Sequence, residues 1–186
     1  MKKGLIIVGA IVVAVLLFIS YLNSTYNKAV ALDENSKARW ADVGASYQRR
    51  ADLIPNLIST VKGAAANEKD ILTSVTALRS GISNAKTPQD FDAVGKKINA
   101  AINLTIEAYP QIHSTENFQT FQAQLEGTEN RINIAREDYN QSVNMYNTYI
   151  RGFITHSVLG MAGGSFETKK GFEAAAGTEK APDVKF

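Results

Sequence analysis

Apolar positions arrive along this chain in two rhythms. From Gly4 to Leu22 they are nearly continuous: GLIIVGAIVVAVLLFISYL holds 19 residues and no charge. As an α-helix such a run extends ~28 Å, about the hydrocarbon thickness of a bilayer. A cleaved signal peptide is the competing explanation, with Lys2 and Lys3 as its basic start. The run is long for that role, however, and no small-residue cleavage pattern follows it. The exit, Tyr21-Leu22-Asn23, has the form of an interfacial aromatic followed by polar helix. We therefore expect a membrane anchor over residues 1–22.

From Asn23 to Ser80 the rhythm becomes helical. Tyr26, Val30, Trp40, Val43, Tyr47, Ile54, Leu57, Ile58, Val61, Ala65, Leu72, Val75 and Leu78 recur mostly in threes and fours, the mark of one buried face. No glycine or proline interrupts Ile11 to Val43, so the anchor is expected to run directly into the following helix. Pro55 lacks an N–H and crowds the turn before it, which predicts a kink or boundary between Asp52 and Pro55, with Asp52 able to cap a new start. A second break is expected between Gly63 and Asn67.

Gly81–Lys86 is small and polar. Thr87-Pro88-Gln89-Asp90 then combines a capping hydroxyl, proline at the first helical position and an acid in the first turn. The helix it opens carries Phe91, Val94, Ile98, Ala101, Ile102 and Ile106 and should end at Tyr109-Pro110. A last long helix, opened by Ser114 or Asn117, presents Phe118, Phe121, Leu125, Thr128, Ile132, Ala135, Tyr139, Val143, Tyr146, Ile150 and Phe153. That spacing is a coiled-coil-like seam with one stutter. No useful length alternates with period two, as a strand would. The expected fold is all-α: a membrane-anchored antiparallel helical bundle, residues 23–158, with long first and last helices. Residues 159–186 are rich in glycine, lysine and alanine and are expected to order only by docking on the bundle or on a neighbour.

Composition narrows the function. The 186 residues include no cysteine, which removes disulfides, thiolate metal sites and cysteine nucleophiles. The net charge is +2, and apart from Lys2 and Lys3 the basic and acidic residues balance. A nucleic-acid partner needs a surplus of cations, so none is expected. The basic N-terminal tail favours a cytoplasmic N-terminus and an extracytoplasmic domain, although cations flank both ends of the apolar run.

Sites for chemistry are scarce. His113 and His156 belong to no metal-ligand spacing and are expected at the surface. The carboxylates lack the Glu-x-x-His pairs of a di-metal bundle and suit solvated helix faces. GMAGG at Gly160–Gly164 lacks the lysine and hydroxyl of a phosphate loop and is expected to be a hinge. No metal, cofactor or catalytic residue is assigned, and no enzyme is expected.

Two clusters remain. In the first, Arg49, Arg50, Asp52, Pro55 and Asn56 fall within nine residues. A proline kink would free the Ala51 carbonyl for nearby donors. Arg49 or Arg50 could form a fork with Glu126, Glu129 or Asp138 on the last helix. A polar layer fixing bundle register is the favoured role, with a partner or oligomer contact as the alternative. The second cluster holds Glu126, Glu129, Asn130 and Arg136, then the repeated pairs Tyr139-Asn140 and Tyr146-Asn147. Each tyrosine lies on the seam, which favours core packing with a partnered hydroxyl.

These clusters carry a resemblance. RRADLIPNL at Arg49–Leu57, Val61-Lys62-Gly63 and Glu68 after it, and Trp40 before it resemble the hallmark of the LemA family. So do EAYP at Glu107–Pro110, ENF at Glu116–Phe118, LEGTENRI at Leu125–Ile132, Ala135-Arg136, Tyr139-Asn140 and Tyr146-Asn147. The likeness covers the anchor through about Phe153. It departs where the family's Phe-Pro is Phe153-Ile154 and its later Gly-Phe is Gly163-Gly164. The resemblance implies a bacterial inner-membrane, single-pass helical bundle with no associated enzyme activity. The expected function is a scaffold that self-associates on the bilayer and organises or shapes it. The alternative is an adaptor recruiting another envelope protein, such as a membrane protease, through Arg49–Leu57.

Overall fold

The computed structural model describes residues 2–59, 68–108 and 116–173. Among the described residues six helices follow one another: α1 Lys2–Ala51, α2 Leu53–Ser59, α3 Glu68–Asn84, α4 Pro88–Ala108, α5 Glu116–Arg151 and α6 Phe153–Met161. No strand occurs among the described residues. The protein is all-α, with α1 and α5 by far its longest helices. The breaks expected at Gly63–Asn67 and Tyr109-Pro110, the start at Ser114, and His113 lie outside the described residues.

Helix α1 runs unbroken for 50 residues, so the apolar segment and the amphipathic segment after it share one backbone. It is the only described helix long and apolar enough to cross a membrane, and none of its apolar window is buried. It stops at Ala51, four residues before Pro55, where the proline ring would meet the Ala51 carbonyl. Asp52 forms the turn, its N–H donating to the Gln48 carbonyl at 3.0 Å. Pro55 is then the third residue of α2, where a missing N–H costs nothing.

The Thr87 start is built as its residue types require. The Asp90 N–H donates to Thr87 Oγ1 at 3.2 Å, and the Lys86 and Thr87 N–H groups donate to Asp90 Oδ2 at 3.0 and 2.9 Å. These bonds, that from the Lys86 backbone first, hold the Asp90 carboxyl below its ordinary pKa.

Three expectations are corrected. Phe153 is 89% exposed and is not on the seam. Gly152 bends the chain between α5 and α6, turning Phe153 away from the line of Tyr146 and Ile150. On α1, Tyr26 is exposed, while the buried positions are Thr25, Ala29, Ser36, Val43, Tyr47 and Ala51. The packed face there is lined partly by small and hydroxyl-bearing residues, which a search for large apolar side chains passes over. Leu72 on α3 is likewise exposed.

The chain divides into two compact units, Met1–Arg39 with Gln141–Lys169, and Trp40–Asn140 with Lys170–Phe186. The first has a core of Ala29, Tyr146, Ile150 and Leu159, flanked by Leu32, Tyr149 and Phe166. There the Tyr149 hydroxyl donates to the Thr25 carbonyl at 3.1 Å, and Tyr26 meets Phe166 edge-on at 5.6 Å. The core of the second includes Val43, Ile54, Leu57, Val75, Ile98, Phe121 and Ile132. Its aromatic centre brings Trp40 within 4.7 Å of Phe91 and 5.0 Å of Tyr139, with Tyr47 stacked on Phe91 at 5.1 Å. Gly95 on α4 makes room for Tyr47, since a Cβ there would sit 2.9 Å from the ring.

Candidate functional site

After α6 the chain turns at Gly163, whose positive φ of 71° suits glycine. Residues 164–173 have no regular secondary structure. Asparagine side chains hold two of them by the backbone.

In the first unit, Asn147 Nδ2 donates to the Lys169 carbonyl at 2.8 Å, and the Lys169 N–H donates to Asn147 Oδ1 at 2.9 Å. One amide thus satisfies both backbone groups of one residue, as a neighbouring strand would. The Lys169 ammonium lies 2.7 Å from Asp33 Oδ1 and 2.5 Å from Ser36 Oγ, and 5.1 Å from the centre of the Tyr146 ring. Burial alone would raise the Asp33 pKa, but hydrogen bonds and charge from Lys169 and Lys37 bring it below its ordinary value. Burial pushes the Tyr146 hydroxyl up.

In the second unit, Asn140 repeats the device. Its Nδ2 donates to the Phe172 carbonyl at 2.9 Å, and the Phe172 N–H donates to its Oδ1 at 2.7 Å. The Tyr139 hydroxyl donates to the Lys170 carbonyl at 3.2 Å. The Phe172 ring, 7% exposed, stacks on Trp40 at 6.0 Å and meets Tyr139 edge-on at 5.7 Å. The Arg136 guanidinium covers it at 4.5 Å. Arg136 also pairs with Asp92 at 2.9 Å. Burial raises the Tyr139 pKa. Closeness favours Gly171: a Cβ there would lie 2.8 Å from Asn140 Oδ1, so the amide would have to shift.

The Arg49–Asn56 cluster is dispersed in this unit rather than convergent. Arg50 pairs with Glu129, one of the partners its sequence position allowed. The contact uses a terminal nitrogen, and the buried Nε has no hydrogen-bond partner among the described residues. Desolvation lowers the Arg50 pKa, partly offset by the nearby Tyr47. Arg50 and Glu129 line an open cavity of about 560 Å³ with Tyr47, Asp92, Lys96 and Arg136. Asp52 is engaged by Arg79, whose Nη2 and Nε donate to Oδ1 at 2.7 and 3.1 Å, with Gln48 Nε2 at 3.3 Å. Arg49, by contrast, is exposed beside a shallow cavity with Asp42, Arg131 and Asp138. Asn56, Glu126 and Asn130 are exposed.

The partners that sequence reasoning missed are Asp33, Ser36, Arg79, Asp92, Lys169 and Phe172. A usable signal existed for part of this set. Asn140 and Asn147 are seven apart, so they share one face of α5, next to a buried seam where asparagine has no packing role.

A model of the LemA family matches residues 39–186. The chain belongs to the LemA family. The match reaches past Phe153, where the likeness was expected to end, so the glycine-containing tail falls within what the LemA family model covers. It begins after the apolar segment, which lies outside it. Among relatives, the magnetosome proteins MamQ 1 and MamQ 2 of Paramagnetospirillum magneticum are each 26% identical over 168 residues, covering 75% of this chain and 62% of theirs. The protein LemA of Metamycoplasma hominis is 23% identical over 120 residues, covering 62% of this chain and 55% of its own. The chain therefore spans little more than half the length of these relatives. Family and relatives together are consistent with a membrane-associated protein.

Proposed function

We propose that this LemA-family chain is a non-enzymatic scaffold, an antiparallel helical bundle held on a bacterial inner membrane by Gly4–Leu22, which self-associates to organise or shape that membrane. The observation that carries the proposal is the unbroken α1, which fuses an exposed apolar span to a packed amphipathic helix. A rod so joined transmits the geometry of its packed part to the bilayer. Self-association draws support from the tail. Asn140 and its aromatic surroundings read Phe172 by its backbone and ring, so a second copy's Phe172 would satisfy the same groups by exchange. Confinement in a plane raises the effective concentration of neighbours and multiplies weak contacts. The MamQ relatives are magnetosome proteins by name, and a part in organising a membrane compartment is carried over from that name as part of this proposal.

Sedimentation of the full-length protein in mild detergent and in nanodiscs large enough for several copies tests it. Oligomers are expected in both, and a monodisperse monomer in both overturns self-association. Orientation follows from Lys2 and Lys3 remaining cytoplasmic. Protease added to intact spheroplasts should digest the helical domain and spare an N-terminal tag.

A second function has its own observation. Arg49 and Arg131 are exposed beside Asp42 and Asp138, a surface of both charges suited to recruiting another envelope protein. Crosslinking from position 49 separates the two: adducts with a second copy favour the scaffold, and adducts with one foreign protein favour the adaptor.

A further inference from the structure

Helix α6 contains no Asp, Glu, Lys or Arg among its nine residues. It buries Val158 and Leu159, the latter against Ala29, Tyr146 and Ile150. Phe153, Ile154 and Met161 are 89%, 61% and 66% exposed. At ~100° per residue these three fall on about one third of the helix circumference, with the exposed Ser157 between them. Large apolar side chains exposed together on one face of a helix mark an interaction surface.

The position of α6 on α1 indicates what covers that face. Leu159 packs with Ala29, only seven residues beyond Leu22, or ~10 Å along the helix. The chain just after α6 approaches closer: a Cβ on Gly164 would lie 3.3 Å from the Tyr26 ring, and Phe166 meets the same ring at 5.6 Å. Tyr26 is about one helical turn above the end of the apolar span. All these residues belong to one compact unit. Helix α6 therefore packs on α1 within about two helical turns of the end of the apolar span. Gly152 permits this by ending α5 at Arg151, so the chain leaves the line of that helix and returns along α6.

We infer that α6 is a second membrane contact, an interfacial helix whose Phe153, Ile154 and Met161 side chains insert into the bilayer beside the anchor. Such helices seat their apolar face ~5–10 Å into the headgroup region. The inference rests on insertion of Gly4–Leu22, and the test keeps the two apart.

The natural chain has no cysteine, so single cysteines can be placed and labelled without background. An environment-sensitive fluorophore is attached at Phe153→Cys, Met161→Cys, Ile11→Cys and Asn144→Cys in the full-length protein, in nanodiscs loaded with one copy each. Phe153, Met161 and Asn144 are exposed, so labels there leave the core intact, and circular dichroism verifies helicity. Labels at 153 and 161 should emit to the blue of the label at 144. A lipid nitroxide near the headgroup should quench them more than one near the chain end. The label at Ile11 should respond most to the deep nitroxide. If 153 and 161 behave like 144 while 11 is lipid-protected, α6 is not interfacial and the anchor stands. If 11 is also accessible to water, both fail. Blue emission at 153 that appears only in discs holding several copies assigns the face to a second copy and overturns the membrane contact.

Discussion

Two asparagines one heptad apart on α5 perform the same act on different residues. Asn147 holds the backbone of Lys169 in one unit, and Asn140 holds that of Phe172 in the other. What surrounds the held residue differs. Lys169 lies among Asp33, Ser36 and the Tyr146 ring, while Phe172 lies among Trp40, Tyr139 and the Arg136 guanidinium. The backbone clamp sets where an extended chain lies, and the side-chain surroundings set which residue is accepted there. One clamp is consequently electrostatic and the other depends on burial.

The largest break in this comparison is Phe172→Ala. It empties a site walled by aromatic rings and should lower the stability of its unit by about 3 kcal/mol, the usual scale for a buried phenylalanine. Denaturant unfolding checks it, and a loss under ~1 kcal/mol would mean that the ring's burial contributes little. Asn140→Ala and Asn147→Ala come next. Each strands a backbone N–H and carbonyl, at a cost of about 1–3 kcal/mol. Hydrogen exchange at the Phe172 and Lys169 amides should accelerate each in its own variant and stay unchanged in the other.

Acid separates the clamps without mutation. The Asp33 pKa is lower in the folded chain than its ordinary 3.8. Its contribution is therefore fully present above that value and is lost as pH falls through the lower folded pKa. Exchange protection at Lys169, corrected for the intrinsic pH dependence of exchange, should fall over that range while protection at Phe172 holds. Equal loss at both would show that the Asp33 contact does not govern the Lys169 clamp. The smallest effect is Gly171→Ala. The new Cβ would press on Asn140 Oδ1, and the amide must shift to accept it. About 1 kcal/mol is expected, seen as faster exchange at Phe172 alone.

The same contrast explains what could be read in the sequence. Periodicity located α4 and most of the α5 seam because large apolar residues mark those faces: Phe91, Val94, Ile98 and Ile102 are all buried. It found Val43 and Tyr47 on α1 but misjudged the stretch around Tyr26, because the packed face there includes Ala29 and Ser36, residues whose burial follows from what lies opposite. Pro55 and Thr87-Pro88 announced their boundaries because proline and capping hydroxyls act locally. The clamps acted through residues more than twenty positions away. Nothing local ties Asn147 to Lys169, Asp52 to Arg79 or Arg136 to Asp92. The arginine–proline cluster attracted attention because its charges are adjacent in sequence, yet Arg49 and Arg50 face different surroundings.

The unbroken α1 fixes a rotational phase as well as a position. Between Leu22 and Thr25 no residue interrupts the helix, so the side of the apolar span that faces a neighbour is set by the side on which Thr25, Ala29 and Ser36 pack. Each added residue would turn one segment against the other by ~100°. Seven alanines inserted at Asn23 would nearly restore the phase while lifting the packed part by ~10 Å, whereas two would turn it more than halfway round with little lift. Axial offset and rotational phase of the packed part relative to the apolar span are thus separately adjustable properties of this one helix.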